Sequence, residues 1–440
     1  LTAVALLLPV IPFLPGHVTR NVDAADSDNW PHWRGPTANG VASPEARPPV
    51  EWGPGKNIRW VAALPGEGSS TPIIHAGRIY VTSAAATDRQ AEEPLRQRET
   101  SKTTPPGVYY RFDVTCLDRN TGDVVWQKTL VEAVPHEGHH PTHTYAASSP
   151  TTDGKRLYVS FASRGLFALN FDGDILWEQD LGDMHTRFGW GEAVTPVLAG
   201  DQLIVNWDQE EHSFICALNC ADGKISWKTD RPGEVTSWNT PLIVSAGNRT
   251  LAVVNGTGRV RAYDVANGEE IWQCGGQTVN AIPSPLPFQN NVICVSGYRS
   301  AFAVSIPVSS TGDVTESASL NWKYGQGTPY VPSPVISGER LLFTAGNTDV
   351  LSCISAGTGQ ELLPRRRLTG LSTAYASPVV AGGNLYFTGR DGVTVVLRDD
   401  DSLTPVATNS LNDTIDASPV AVGSQLFLRS WSKLYCIEQQ

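Results

Sequence analysis

The sequence is short of charge and of paired cysteines. Charged residues make up 18% of the 440 residues, and the formal net charge is −11, which excludes the basic surface that binds a nucleic acid backbone. The seven cysteines include no adjacent pair and no Cys-x-x-Cys, so the sequence predicts neither a cysteine metal site nor a haem attachment site. No stretch has the helical periodicity that a βαβ unit or a helical solenoid needs.

The chain begins with an apolar segment. The run from Leu1 to Leu14 contains prolines at 9 and 12, so it is too short and too broken to span a bilayer. Val22-Asp23-Ala24 is similar to the cleavage site of an exported protein. We therefore predict a signal peptide at residues 1–24, whose start the sequence does not fix, and a periplasmic or extracellular location.

A Ser-Pro or Thr-Pro dipeptide heads a strand-like apolar run eight times along the chain. The dipeptides begin at Thr71, Ser149, Thr195, Thr240, Ser284, Ser333, Ser377 and Ser418. After a first interval of 78 residues, the intervals are 41 to 49 residues long. Self-similarity at a fixed period is the signature of a repeat architecture.

Each unit contains two predicted β-hairpins. The first follows the dipeptide, as in Val379–Thr388, where two β-rich stretches flank a Gly-containing turn. The second is clearest from Cys116 to Trp126, where a strand, a Thr-Gly turn and a Trp-bearing strand follow one another. Four short antiparallel strands per unit predict an all-β, eight-bladed β-propeller.

We expect an N-terminal strand to complete the last blade. The chain ends at the third strand of the last unit, and Asn57–Trp60 supplies an unmatched Trp-bearing strand; pairing the two removes open sheet edges. This predicts an N-terminal extension at residues 25–56 and a single propeller at 57–440. A charged, Pro-containing insertion at about 84–111 is typical of an unstructured projection, which either recruits or covers a ligand or has no function.

Two residue types recur at fixed positions of the unit. Cys116, Cys353 and Cys436 take a third-strand position that holds alanine in other units, so we interpret the cysteines as small packing residues. A disulfide between Cys216 and Cys220 is the alternative. Tryptophans of the fourth strand are interpreted as blade-to-blade packing. They are Trp60, Trp126, Trp177, Trp227, Trp272 and Trp322.

The Ala-x-Asp-x-x-Thr-Gly-x-x-x-Trp pattern of these units resembles the repeats of the pyrroloquinoline-quinone (PQQ) propellers, the family that includes quinoprotein alcohol dehydrogenases and BamB-type scaffolds. The opening Trp30-Pro31-His32-Trp33-Arg34-Gly35-Pro36 is similar to the start of exported PQQ-like repeat proteins of planctomycete bacteria. The resemblance covers about residues 30–440 and implies the fold. Because the family mixes enzymes with scaffolds, it leaves the activity open.

The loops leading into the inner strands of a propeller share one face, so the residues before each dipeptide should form a common rim around the channel. We predict this rim as the ligand-binding site. Its candidate residues are His139, His140, His143, Tyr145, Trp190, Glu192, Trp238, Asn239, Asn280, Tyr330, Tyr375 and Asp416. Loops between second and third strands add Arg164, Asp208, Glu210, Arg299, Arg390 and Trp431. Glu192 and Asp416 are the candidate catalytic carboxylates.

The segment His136–His143 holds four of the nine histidines. Imidazole and carboxylate groups suit zinc, copper or iron, but the spacing matches no established motif. A metal site, a flexible polar loop and direct hydrogen bonding to a ligand stay open. Trp190 and Trp238 lie outside the repeated position, and they either pack at the channel mouth or stack on a sugar or quinone ring.

Three functions stay open. A non-catalytic exported scaffold would hold an envelope protein or peptide on the rim. A carbohydrate-binding propeller would use the rim aromatics. The resemblance also implies a PQQ- and Ca²⁺-dependent dehydrogenase of alcohols or sugars, although the adjacent-cysteine disulfide of such enzymes is absent. We rank the scaffold first, expect a monomer with no nucleic acid partner and no transmembrane span, and leave enzyme activity undecided.

Overall fold

The computed structural model describes residues 27–93 and 95–440. Their strands form eight antiparallel sheets of four strands, one of them extended by a fifth, so the predicted all-β, eight-bladed propeller is confirmed. Helix in this part of the chain is confined to two 3₁₀ turns, Ala162–Arg164 and Arg187–Gly189. The predicted signal peptide lies outside the described residues. None of the helices described here is long and apolar enough to cross a membrane.

The first four blades follow one another along the chain, each from an inner to an outer strand. Blade 1 contains β2 (Ile73–His75), β3 (Arg78–Gln90), β4 (Val108–Asp118) and β5 (Val124–Ala133). Blade 2 contains β6 (Thr151–Thr152), β7 (Leu157–Ser160), β8 (Leu166–Leu169) and β9 (Ile175–Gln179). Blade 3 contains β10 (Val197–Ala199), β11 (Gln202–Trp207), β12 (Phe214–Asn219) and β13 (Ile225–Asp230). Blade 4 contains β14 (Leu242–Ala246), β15 (Arg249–Asn255), β16 (Arg259–Asp264) and β17 (Glu270–Gly275).

The remaining four blades keep this order. Blade 5 contains β18 (Leu286–Phe288), β19 (Asn291–Ser296), β20 (Phe302–Pro307) and β22 (Trp322–Tyr324), and it sends β21 (Gly312–Asp313) to the outer edge of blade 4 as a parallel fifth strand. Blade 6 contains β23 (Val335–Ser337), β24 (Arg340–Thr344), β25 (Val350–Ser355) and β26 (Glu361–Arg367). Blade 7 contains β27 (Val379–Ala381), β28 (Asn384–Thr388), β29 (Val393–Arg398) and β30 (Pro405–Ser410).

Blade 8 joins the two ends of the propeller. The C-terminal strands β31 (Val420–Val422), β32 (Gln425–Arg429) and β33 (Lys433–Glu438) are completed by β1 (Ile58–Ala63). Strand β1 is antiparallel to β33, with Trp60 opposite Cys436. The predicted closure by an N-terminal strand is therefore confirmed, and the C-terminal strand β33 is paired along both of its edges.

Tryptophans of the fourth strand connect neighbouring blades through the turn of the next blade. Five indole Nε1–H groups donate to a carbonyl of that turn, at 2.8 to 3.1 Å: Trp60 to Arg119, Trp126 to Phe171, Trp177 to Cys220, Trp227 to Val265 and Trp322 to Ala356. Each ring lies against the turn glycine, as Trp177 does against Gly223. Trp272 has no such bond, because blade 5 replaces the short turn with the segment that carries β21. All seven thiols are free and buried, so Cys216 and Cys220 do not pair.

The N-terminal extension crosses the channel on the face of the first-to-second strand turns. Trp30 exchanges two backbone hydrogen bonds with Ile74 in blade 1. Farther along, the Arg34 guanidinium donates to the carbonyl of Pro334 at 2.6 Å and of Pro378 at 2.9 Å, in blades 6 and 7. Arg34 is 1% exposed and has no carboxylate partner, and burial lowers its pKa to about 9. The extension therefore closes this end of the channel.

The insertion of blade 1 is more ordered than its composition predicts. Strands β3 and β4 extend beyond the blade, and the loop between them folds back onto the opposite face. Its Lys102 N–H donates to the Phe188 carbonyl at 2.8 Å, and its Arg98 pairs with Glu137 at 2.9 Å. The composition predicted an unstructured projection, and the structure differs. The reason is that the insertion binds the mouth loops through its backbone at Lys102 and through the charge of Arg98.

Candidate functional site

The loops that precede the inner strands meet on one face of the ring. The Trp238 indole Nε1–H donates to the Gly191 carbonyl at 2.8 Å, and its backbone N–H donates to Ala281 at 2.9 Å. Trp238 thus joins the loops before blades 3, 4 and 5. Across the ring, Thr142 Oγ1 lies 3.3 Å from the Tyr375 hydroxyl, although their loops precede blades 2 and 7. The loops therefore reach over the channel and form its mouth.

Blade 7 and blade 8 contribute an ion pair to this mouth. Arg390 donates to both carboxylate oxygens of Asp416, at 2.6 and 3.1 Å, and the Trp431 indole donates to the same carboxylate at 2.8 Å. The Arg390 guanidinium lies 4.5 Å from the Tyr375 ring centre. Every oxygen of Asp416 therefore has a donor, and this candidate catalytic carboxylate has the contacts of an anchor for Arg390.

Blades 4, 5 and 6 contribute a group centred on Tyr330. Its ring centre lies 4.8 Å from that of Tyr298, and the Arg299 guanidinium lies 5.1 Å from the Tyr298 ring. Burial raises the pKa of Tyr330 to about 12, against the opposing effect of the nearby Asn280 amide and of Arg187. Neither amide atom of Asn280 has a hydrogen-bond partner of normal geometry, although the residue is 1% exposed.

The histidine segment is tied down at several points. His143 donates through Nε2 to the Glu192 carbonyl at 2.9 Å, and burial lowers the His143 pKa to about 4. The Nδ1 atom of His140 accepts from the Thr142 N–H at 3.2 Å, and burial, Arg390 and His139 lower the His140 pKa. The alternative of a flexible polar loop therefore differs from the structure, where hydrogen bonds hold both rings.

The Glu192 carboxylate lies just under the rim. It accepts hydrogen bonds from the Ser163 hydroxyl and, at 3.2 Å, from the Ser163 N–H. Burial raises the Glu192 pKa, and His136 lies 3.6 Å away. The adjoining cavity, lined by Tyr145 and Arg164 among others, has a volume of about 20 Å³, enough for about one water molecule. The cavity beside this second candidate catalytic carboxylate is therefore too small for a substrate.

One group of potential metal ligands exists among the described residues: His136, Glu137 and His185, whose donor atoms lie within 4.8 Å of one another. Its central carboxylate already accepts from Arg98 at 2.9 Å and from the Thr186 N–H and hydroxyl at 3.0 Å. His136 Nε2 donates to a backbone carbonyl at 2.8 Å. Because a guanidinium takes the position of a cation, we interpret this group as an anchor for the insertion.

Two predicted rim residues have a different role in the structure. Asp208, which is 1% exposed, holds Arg231 through bonds of 2.7 and 3.1 Å inside blade 3. Asn239 uses its amide on Ser237 and on the backbone of Asn255, at 2.9 to 3.1 Å. Asp208 is therefore the carboxylate partner of a buried arginine, and Asn239 satisfies the buried backbone of Asn255 in a second strand.

Three residues of the mouth were missed by the sequence interpretation: Arg187, Phe188 and Tyr298. Arg187 and Phe188 belong to the 3₁₀ turn that precedes Trp190, eight and seven residues before the Thr195-Pro196 dipeptide. Tyr298 directly precedes the predicted Arg299. An aromatic residue beside an arginine in two loops was the available signal.

The residues proposed for a quinone cofactor do not fit it. A PQQ site with Ca²⁺ needs a carboxylate and an amide that can ligate the ion beside a base. The residues with suitable chemistry are Glu192, Asn239, Asn280 and Asp416. Of these, Glu192, Asn239 and Asp416 are each engaged by their own partners in separate loops. This leaves the Asn280 amide without a carboxylate beside it, in the described part of the chain, that could ligate the same ion. Neither carboxylate belongs to a group of three potential ligands among the described residues.

The comparisons with known proteins agree with the fold and leave the activity open. The PQQ_2 family model, described as outer membrane protein assembly factor BamB, matches residues 111–362. The outer membrane protein assembly factor BamB of Yersinia pestis is 23% identical over 339 residues, which cover 72% of this chain and 78% of the relative. That of Alkalilimnicola ehrlichii is 29% identical over 29% of this chain and 32% of the relative.

Solved structures of a BamB protein and of two dehydrogenases share the architecture. BamB from Moraxella catarrhalis superimposes with a TM-score of 0.52 at 14% identity, over 81% of this chain and 98% of its own. A europium-containing methanol dehydrogenase gives 0.63 at 10% identity, over 94% and 98%. The quinohemoprotein alcohol dehydrogenase of Comamonas testosteroni gives 0.63 at 11% identity, over 95% and 81%. At these identities the structural likeness shows the fold alone.

Proposed function

Because this chain belongs to the PQQ_2 family, whose model is described as outer membrane protein assembly factor BamB, we propose that it is an exported, non-catalytic binding module. Its channel-mouth rim holds a protein partner of the cell envelope. The relatives named as assembly factors support this choice over an enzyme. The dehydrogenases of the same fold carry no comparable weight, since their identity to this chain is 10 to 11%.

The observation that carries the proposal is the state of the candidate catalytic groups. Asp416 is neutralised by Arg390, and Glu192 is held by Ser163. In contrast, the outer surface of the mouth presents partly exposed Trp190, Tyr330 and Tyr375. Aromatic side chains on a rigid scaffold are the residues that protein interfaces favour.

The N-terminal extension, which lies across the opposite face, also indicates that a partner binds on the rim. Arg34 and its neighbours close the channel there, so a partner segment that enters the channel has access from the rim. The rim loops are in turn fixed by the insertion through Lys102 and Arg98. Recognition loops held by a rigid frame are typical of binding modules.

Site-specific photo-crosslinking tests the proposal. A photoreactive residue replaces Val279, which lies in the rim and is 40% exposed, or Leu362, which lies on an outer strand and is 47% exposed. Both changes leave the core intact. We expect one envelope protein to crosslink from position 279, and the purified pair to bind in solution with an affinity that Trp238→Ala lowers.

The control is the Leu362 variant, which we expect to give no adduct with that protein. The proposal is wrong if the partner crosslinks only from position 362, or if the protein purified with PQQ and Ca²⁺ oxidises alcohols or sugars with an artificial electron acceptor.

A further inference from the structure

Two arginines at the channel mouth, Arg187 and Arg299, have no carboxylate partner among the described residues. Arg187 lies near enough to Tyr330 to lower the pKa of that tyrosine. Arg299 contacts the ring of Tyr298, and Tyr298 packs against Tyr330. Other rim arginines are neutralised, as Arg390 is by Asp416. In a chain of net charge −11, an uncompensated pair of cations at a concave mouth indicates a place for an external anion.

Asn280 supplies a second, independent sign of a ligand. Among the described residues, neither its amide Nδ2 nor its Oδ1 atom makes a hydrogen bond of normal geometry, although Asn280 is 1% exposed. A buried amide without good hydrogen bonds costs on the order of 1–3 kcal/mol, so such groups are rare unless a ligand or water completes them. This amide lies close enough to the Tyr330 hydroxyl to lower the pKa of Tyr330.

Each of the same three loops holds a non-glycine residue at positive φ. Phe188, Asn280 and Arg299 have φ values of 56°, 58° and 58°, in the left-handed region that side chains with a Cβ disfavour. Three of the ten described non-glycine residues with positive φ therefore lie in these loops. Strain of this kind is retained where a particular side-chain geometry is needed.

The apolar surface of the mouth is aromatic. Trp190, Tyr298, Tyr330 and Tyr375 are partly exposed, and Val279 is the exposed aliphatic residue of the loops that carry these rings. Flat aromatic faces stack on the C–H faces of sugar rings, and concave sites with aromatic walls and a few placed polar groups bind small ligands. The flanking arginines and the amide then meet the charged and hydroxyl groups of such a ring.

We propose that the channel mouth binds an acidic saccharide, a sugar that carries a carboxylate or a sulfate ester. Arg187 and Arg299 hold the anionic group by charge-assisted hydrogen bonds. Asn280 bonds to ring hydroxyls, and the tyrosines stack on the ring. This site goes beyond the proposed protein partner: the two share the partly exposed Trp190, Tyr330 and Tyr375, but sugar binding does not require the protein.

Calorimetric titration of the full chain tests this with four probes: trigalacturonate, its methyl ester, a sulfated disaccharide and triglutamate. We expect saturable binding of the two acidic sugars and at least tenfold weaker binding of the ester and the peptide. Arg187→Gln and Arg299→Gln each lower the affinity for the acidic sugars about tenfold or more. Arg398→Gln, in an exposed residue on the opposite face beside the turn before Asn384, leaves it unchanged.

Circular dichroism confirms that the variants are folded. The proposal is overturned if the ester binds as well as the acid, if triglutamate binds as tightly as the sugars, if no sugar binds, or if the Arg398 variant loses as much affinity as the others. If position 279 gives no protein crosslink while the acidic sugars still bind, the scaffold proposal fails and the saccharide proposal stands. If the crosslink forms and no sugar binds, the reverse holds.

Discussion

The Ser418 backbone N–H donates to the Thr71 hydroxyl oxygen at 3.2 Å, across the join between the last blade and the first. The same link repeats around the channel. Six further Ser-Pro or Thr-Pro residues donate to the hydroxyl of the next one at 2.9 to 3.1 Å: Thr71 to Ser149, Ser149 to Thr195, Thr240 to Ser284, Ser284 to Ser333, Ser333 to Ser377 and Ser377 to Ser418. The repeated hydroxyl is therefore the blade-to-blade acceptor at the inner strands.

Removing one acceptor from this ring should weaken the closure of the propeller. Thr71→Val keeps the shape of the side chain and leaves the buried Ser418 N–H without its acceptor, so we expect a loss of about 1–3 kcal/mol in the free energy of unfolding. Urea unfolding with an unchanged m-value measures it. The matched control is Thr240→Val, since the link from Thr195 to Thr240 is the one the ring lacks. Equal losses in the two variants would contradict this role.

A second prediction concerns the contact between Trp177 and Gly223. A Cβ at Gly223 would lie 2.6 Å from the indole, and the glycine has a φ of 71°. Gly223→Ala should therefore lose about 1 kcal/mol from the backbone and a further 1–3 kcal/mol from overpacking. Gly200→Ala in the same blade has a φ of 65° but open space, so only the backbone cost is expected. Thermal unfolding of both variants measures the difference, which must favour Gly200→Ala.

The repeat made the architecture predictable from the sequence. A dipeptide at a period of about 45 residues fixed the number of blades, and the unmatched strand at Asn57–Trp60 fixed how the ring closes. Both signals are local: a strand pattern and a turn glycine are encoded within a few residues. The tryptophan position was equally visible, since its partner turn lies in the next copy of the same unit.

The site was less predictable because its contacts join distant loops. Sequence position placed Asn239 and Asn280 alike before a dipeptide, yet among the described residues the backbone of Asn255 holds the first amide, whereas the second makes no hydrogen bond of normal geometry. The insertion was misjudged for the same reason, because Arg98 pairs with Glu137 and the Lys102 backbone N–H bonds to the loop at Phe188. Whether a polar side chain is hydrogen-bonded within the protein or available to a ligand depends on its neighbours in space.

The ion pair between Arg98 and Glu137 should control how firmly the insertion holds the rim. Arg98→Gln removes bonds to Glu137 and to Glu211, at 2.9 and 3.3 Å. Because a buried carboxylate then loses a charged donor, we expect limited proteolysis within residues 95–107 to become several times faster with little change in global unfolding. The control is Arg96→Gln, in an exposed residue of the same loop. A faster cleavage in both variants, or in neither, would rule out the anchor.

Acid should weaken the folded state through His143. Burial lowers its folded-state pKa to about 4, whereas an unfolded histidine has a pKa of about 6.5. Between these pH values the unfolded chain binds more protons than the folded chain does. The contribution of His143 to the free energy of unfolding is therefore fully present above about pH 6.5 and is lost as the pH falls toward 4. The maximum contribution is about 3 kcal/mol. We expect His143→Gln to reduce the loss of stability between pH 7 and pH 4.5, measured by urea unfolding at both values.

His212→Gln, in an exposed residue, should retain the pH dependence of the parent protein. A parent-like slope in the His143 variant would assign the acid sensitivity to other groups, among them His32, whose pKa burial lowers to about 3.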